Sequence, residues 1–337
     1  MTPLPPSRKG KVLVVVMLLG LLAAAPLLAQ EPLRRVSAAG SIGSATQMAL
    51  WFAKEGRFFE KYGLAADIVN IQTSPLTLSA LLAGEIQISQ IGGPAPIFAK
   101  LSGADLVIVA TIVRTFVFSL VSRSEINNVR ELKGRALGVS RFGALSDFAA
   151  RFALQKNGLQ PDRDISVVQT GGQAETVAAL GSGRINAAAL TAPSNILARK
   201  AGFKELLDIS KLEADTHVNG LVVTRKYLSA NEETVRRFLK AYMESVALAK
   251  KDKSFAIRAM ARYLGTDDRE SLNESYEWII KQNFVVTPYP AVEGIGAFLD
   301  SAKKNNPKAA AAKPEDFVDG RLVKELDDSG FFKSVLR

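Results

Sequence analysis

From Arg34 onward, short apolar runs alternate with stretches whose apolar residues recur at helical spacing. "RRVSAAG" (34–40) reads as a first strand, "SIGS" as a turn, and Thr46 to Glu55 as a helix with Met48, Trp51 and Phe52 at helical spacing. Gly56 stops that helix, and "RFFEKYG" adds one more turn with Gly63 as its left-handed cap. "ADIVNIQ" (66–72) is the next strand, and "TSP" then starts a helix with Ser74 as N-cap and Pro75 at the first helical position. "EIQISQI" gives strand three and "DLVIVATIV" (105–113) strand four. Strands and helices alternating at this spacing are βαβ units of a largely parallel sheet.

The order then restarts. After the extended run "FVFSLVSR" (116–123) come the strand "RALGVS" (135–140), a helix punctuated by Phe148, Phe152 and Leu154, and the strand and turn "DISVVQTGG" (164–172). A helix from Glu175 to Leu180 and the strand "RINAAAL" follow. "GEIQISQIGGPAPIFAKLSG" (84–103) lines up without a gap on "GRINAAALTAPSNILARKAG" (183–202), matching Gly84, Ile86, Pro94 and Gly103 to Gly183, Ile185, Pro193 and Gly202. A repeat this long is not a solenoid; it is two copies of one α/β lobe. Beyond Tyr227 the chain reads as helical. "SANE" (229–232) fits a capping box, and Val235, Phe238, Leu239, Tyr242, Met243 and Val246 form one apolar stripe. "NNPKAAAAKPE" (305–315) reads as an exposed connection, and "FVDGRLVKELDDSGFF" as a last amphipathic helix ended by Gly330.

In an open parallel sheet, ligands bind beyond the carboxyl ends of the strands, where helices begin. The leading N–H groups of each helix lack internal partners, and a glycine there lets a ligand approach the bare backbone. The turns that fit are Ser41-Ile42-Gly43-Ser44, Ser74-Pro75, Gly92-Gly93-Pro94, Arg141-Phe142-Gly143, Gly171-Gly172 and Thr191-Ala192-Pro193. They make Ser41, Gly43, Ser44, Ser74, Gly92, Gly93, Ser140, Arg141, Gly143, Gly171 and Thr191 the candidate ligand contacts. "GGP" at 92–94 is expected to stop its strand so that a ligand can reach the backbone of Gly93.

Residues 1–29 change the picture of where this happens. Arg8, Lys9 and Lys11 precede an uncharged run from Val12 to Ala25, then "PLLAQ", the anatomy of a secretory signal cleaved after Ala29. The competing reading is an uncleaved anchor, which Gly20 and Pro26 weaken by interrupting the run. Removing that segment leaves 40 basic against 33 acidic residues, a balance that attracts anions or anionic surfaces without specifying a fold. No Lys/Arg cluster interleaved with aromatics points to nucleic acid. The chain has no cysteine, which excludes disulfides, thiolate metal sites, a cysteine nucleophile and a lipidated N-terminal cysteine. Its one histidine, His217 in "DTHVNG", reads as a polar surface or hinge residue. No carboxylate pair falls in the cleft turns, so no general acid–base couple is expected, and no metal or cofactor is called for.

"AKEGRFFEKYGLAADIV", "LLAGEIQISQIGGPAPI", "NNVRELKGRALGVSRFGALSDFAARFALQKNGL" and "FVDGRLVKELDDSG", in that order, resemble the substrate-binding proteins of bacterial ABC importers. The nearest group is the nitrate, sulfonate, taurine and thiamine-precursor binders. The resemblance implies a type II periplasmic-binding-protein fold, α/β, with two similar three-layer lobes joined by two crossover strands around a cleft. Lobe 1 would comprise residues 30–115 and 220–337 and lobe 2 residues 116–219, placing Arg114 and Asn219 at the crossovers as further ligand contacts. It also implies a monomer that hands a small organic anion or polar heterocycle to an inner-membrane ABC permease. A sensor subunit for a membrane receptor would use the same cleft. An enzyme on this fold is the remaining alternative, but the related pyrimidine synthases and porphobilinogen deaminases rely on cysteines that this chain lacks.

Overall fold

The computed structural model describes residue 2 and residues 32–212, 215–303 and 306–337. The export signal read at residues 1–29 lies outside the described residues, Thr2 excepted. Strands β1 (Arg34–Gly40), β2 (Leu64–Asn70), β3 (Ile88–Ile91) and β4 (Val107–Thr115) fall in a first sheet. Strands β5 (Ser119–Ser122), β6 (Ala136–Val139), β7 (Ser166–Gln169), β8 (Ala187–Leu190) and β9 (Lys204–Asp208) make a second, and β10 (Asp215–Val223) returns to the first. The orders are β2-β1-β3-β10-β4 and β7-β6-β8-β5-β9. Strand for strand these are one topology: three parallel strands, then a strand antiparallel to both its neighbours. The fold is mixed α/β with two matched five-stranded sheets.

The helices follow the same logic. In the first half they are α1 (Met48–Glu55), α2 (Phe58–Lys61), α3 (Ser74–Ala83) and α4 (Ala95–Leu101); in the second, α5 (Leu145–Lys156), α6 (Gln173–Gly181) and α7 (Ser194–Lys200). The starts of β3 and β8, and of α4 and α7, are 99 residues apart, as the aligned segments require. The C-terminal part runs α8 (Arg225–Ala230), α9 (Glu232–Lys251), α10 (Lys253–Leu264), α11 (Arg269–Ser275), a π-helical segment (Tyr276–Asn283), α12 (Val292–Ala302), α13 (Pro307–Ala311), α14 (Arg321–Asp328) and α15 (Phe331–Val335). The apolar stripe of α9 is buried along its whole length, and α1, which packs against it, buries six consecutive residues from Met48 to Ala53.

Four local expectations give way to tertiary structure. Thr73, not Ser74, is the extended N-cap of α3, so Ser74 is already helical. Ser229 lies inside α8, because the chain breaks at Asn231 rather than before it, and α8 is capped by Thr224 accepting from the Tyr227 N–H. The alanine-rich stretch after Asn306 folds into α13, started by the Asn306 side chain accepting from the Lys308 N–H and anchored by buried Ala309. His217 sits in β10 and is fully buried, not a loop or surface residue.

Candidate functional site

The segments that follow the parallel strands of both sheets converge on one cavity of about 260 Å³. Ser41 to Ser44, Thr46 and Gln47 enter it after β1, and Asn70 and Gln72 to Ser74 at and after the end of β2. From the second sheet come Ser140 and Ala144 to Ser146 after β6, Gly172 to Glu175 after β7, and Thr191 after β8. Phe118, in the crossing segment before β5, supplies an apolar wall. The two sides touch directly: the Ala45 N–H donates to the Ala192 carbonyl at 2.9 Å.

Much of the lining is locked by its own hydrogen bonds. The Thr46 and Gln47 side of the floor rests on buried Asn219, which donates to the Thr46 carbonyl (2.6 Å) and accepts from Gln47 Nε2 (3.2 Å). Gln90 Nε2 donates to Gln47 Oε1 and to the Gln47 carbonyl, each at 2.8 Å. Ser140 and Ser146 share a hydroxyl–hydroxyl bond of 2.8 Å, and Gln173 Oε1 accepts from the Thr191 N–H. Two buried hydroxyls are left over. Thr73 Oγ1 from the first sheet's side and Thr191 Oγ1 from the second's have no hydrogen-bond partner. Leaving such a group unpaired costs about 1–3 kcal/mol, so each is a standing invitation to a polar ligand.

The charge of the cavity is as informative. Among the described residues its lining has hydroxyls and amides but no lysine or arginine, and Glu175 is the one charged side chain. A Cβ added to Gly172 would lie 2.7 Å from Glu175 Oε2, and one on Gly171 3.3 Å from Glu175 Cβ. The carboxylate therefore folds back over both glycines at the start of α6, where it complements the positive end of the helix.

Of the residues singled out from sequence, Ser41, Gly43, Ser44, Ser74, Ser140 and Thr191 line the cavity. Gly92 and Gly93 do not. A Cβ on Gly92 would fall 1.7 Å from the Val218 carbonyl oxygen, so this glycine exists to let β10 cross over it. Gly93 has φ +69°, donates its N–H to the His217 carbonyl at 2.8 Å, and faces Leu145 rather than a ligand space. Arg141 is exposed outside the cavity, Arg114 is half-buried at the end of β4, and neither lines it. Gly143 borders a different pocket, Gly171 lies under Glu175, and Asn219 works from beneath the floor.

A family model described as NMT1/THI5 like matches residues 45–254. The chain belongs to the NMT1/THI5-like family. Its fold is that of the periplasmic binding proteins: the alkanesulfonate-binding protein SsuA of Xanthomonas axonopodis pv. citri, solved with MOPS, superposes with a TM-score of 0.70 at 21% identity, over 87% of this chain and 99% of that one. The periplasmic nitrate-binding protein NrtA of Synechocystis PCC 6803 gives a TM-score of 0.72 at 16% identity, over 88% and 89%. YtlA of Bacillus subtilis is 24% identical over 217 residues, 63% of this chain, and the match spans just under two thirds (65%) of YtlA.

Within this NMT1/THI5-like chain, the polar lining residues that the sequence did not single out are Thr46, Gln47, Asn70, Gln72, Thr73, Ser146, Gln173 and the carboxylate Glu175. Each lies within a few positions of a turn that was read, on the first turn of a helix or at the end of a strand. A rule taking polar residues on both sides of each strand–helix turn, instead of the glycines within it, would have found them.

Proposed function

We propose that this chain is the exported, periplasmic solute-binding protein of an ABC-type importer, binding a small polar ligand between two lobes and releasing it to a membrane permease without altering it. The lobes are residues 30–115 with 220–337, and residues 116–219, and the protein acts as a monomer. The observation that carries this reading is the pair of unsatisfied hydroxyls, Thr73 Oγ1 and Thr191 Oγ1, one from each sheet, on a single cavity. Family membership and the shared fold support it.

Between an organic anion and a polar heterocycle, the cavity favours a ligand that offers N–H donors. An anion there would meet no cationic side chain among the described residues, and Glu175 already occupies the start of α6. A ring N–H, an amino group or a zwitterion gives Glu175 a hydrogen-bond partner and leaves the threonine hydroxyls free to pair with its remaining polar atoms.

Thr191→Val tests the role of that side chain. The hydroxyl has no partner to lose, so the ligand-free melting midpoint is expected to hold or rise. Affinity for whichever aminopyrimidine or taurine-like compound stabilises the wild type is expected to fall about tenfold. Unchanged affinity would remove Thr191 from the site.

A further inference from the structure

A second pocket lies on the other side of α5. Ala144, Leu145 and Ser146 of this segment line the polar cavity, whereas Asp147, Phe148, Arg151, Phe152 and Gln155 line a separate space of about 340 Å³. Its other walls come from both sides of the crossovers: Pro94 and Phe98, Phe116, Thr216, and Ala297 on α12. The aromatic rings form a cluster, with Phe116 5.8 Å from both Phe148 and Phe152, and Phe148 4.4 Å from Phe298 behind it.

Thr216 sets this pocket apart from a packing gap. It is 1% exposed, lines the pocket, and its Oγ1 has no hydrogen-bond partner. It cannot turn away easily, because α12 packs on its backbone: a Cβ on Gly294 would fall 2.2 Å from Thr216 Cα. The pocket's charges satisfy one another, since Arg151 binds Asp147 through Nε at 2.6 Å and also binds Asp162. Asp147 in turn accepts from the Gly143 N–H at 2.9 Å, on the turn that leads into the polar cavity.

We propose that this pocket is a second ligand site, for a neutral aromatic molecule of one or two rings carrying a single hydrogen-bonding group. The phenylalanine rings take the ring system and Thr216 Oγ1 takes the polar group; among the described residues no unpaired charge selects an ion. Because its walls include α4, α5, α12 and both crossovers, a bound molecule holds the arrangement of the two sheets seen here, and shifts the population towards it. This site does not depend on the identity of the polar ligand.

Indole, neutral and with one N–H, is the probe. Calorimetric titration of the full mature chain is expected to show one saturable site with a dissociation constant on the order of 1 mM or tighter. Ala297→Trp places a large ring at the exposed mouth and is expected to weaken indole at least tenfold while the protein melts as before. Thr216→Val, which keeps the shape and deletes only the orphan hydroxyl, is expected to weaken indole about fivefold without lowering the melting midpoint. Absence of saturable binding to the wild type, or unchanged affinity in Ala297→Trp or in Thr216→Val, would overturn the proposal.

Discussion

Gly92→Ala is expected to destabilise the protein by more than about 3 kcal/mol. The added methyl would sit 1.7 Å from the Val218 carbonyl oxygen and 2.4 Å from its carbon. Neither atom can retreat cheaply, because β10 is held by antiparallel pairing with β3 on one side and β4 on the other. Gly43→Ala is the matched control. Its Cβ would meet only Ser41 Oγ at 3.5 Å, and its φ is one that alanine adopts readily; a change within about 0.5 kcal/mol is expected. Chemical denaturation of both purified variants reads the contrast. Equal stability would mean that β10 does not pass over Gly92 as described.

Acid is expected to destabilise the fold through His217, by about 3 kcal/mol once the pH is below about 4. Complete burial pushes its pKa from 6.5 down to about 4, against a weaker opposing pull from the Ile91 backbone. The environment is set for the neutral ring: Thr111 Oγ1 accepts from the Ala291 N–H at 3.1 Å and can donate to His217 Nδ1 at 2.9 Å. Above pH 6.5 the ring is neutral folded or unfolded, and this contribution is fully retained. As the pH falls from 6.5 towards 4, the unfolded chain takes up a proton that the fold refuses, and stability is lost. Surface carboxylates add their own acid dependence, so the histidine component is read as the difference between wild type and His217→Gln from pH 7 to 4.5. Parallel curves for the two proteins would contradict the assignment.

These two residues show where the sequence was legible and where it was not. Periodicity and the repeat gave β1 to β8, their order of appearance and the doubling of the sheet, because those follow from local spacing of apolar residues; β9 and β10 were not read. The aligned turns Gly92-Gly93-Pro94 and Thr191-Ala192-Pro193 misled, because equivalent positions in the two copies do different work. In the second copy Thr191 keeps a side chain on the cavity; in the first, Gly92 yields its space to the returning strand β10. No local signal carries that difference, since Val218 is more than a hundred residues away in the chain. His217 was misread for the same reason. "DTHVNG" is polar enough to pass for a loop, but pairing on both sides makes it a central strand. The cavity's polarity was visible only as a tendency: the seryl turns and Gly43 lie on its rim, while the amides within a few positions of them were passed over.

The measurement that bears most directly on the polar cavity between the two sheets is thermal denaturation of the purified protein against a panel of small polar compounds. The panel should contain nitrate, alkanesulfonates without an amine, taurine, simple carboxylates and aminopyrimidines. A compound with an N–H donor is expected to stabilise the wild type by about 3 kcal/mol at a hundredfold excess over its dissociation constant, and Glu175→Gln is expected to weaken that effect. Stabilisation confined to nitrate and amine-free sulfonates, undiminished or strengthened in Glu175→Gln, would contradict the ligand class. Stabilisation that survives intact when Thr73 and Thr191 are both replaced by valine would contradict the site itself.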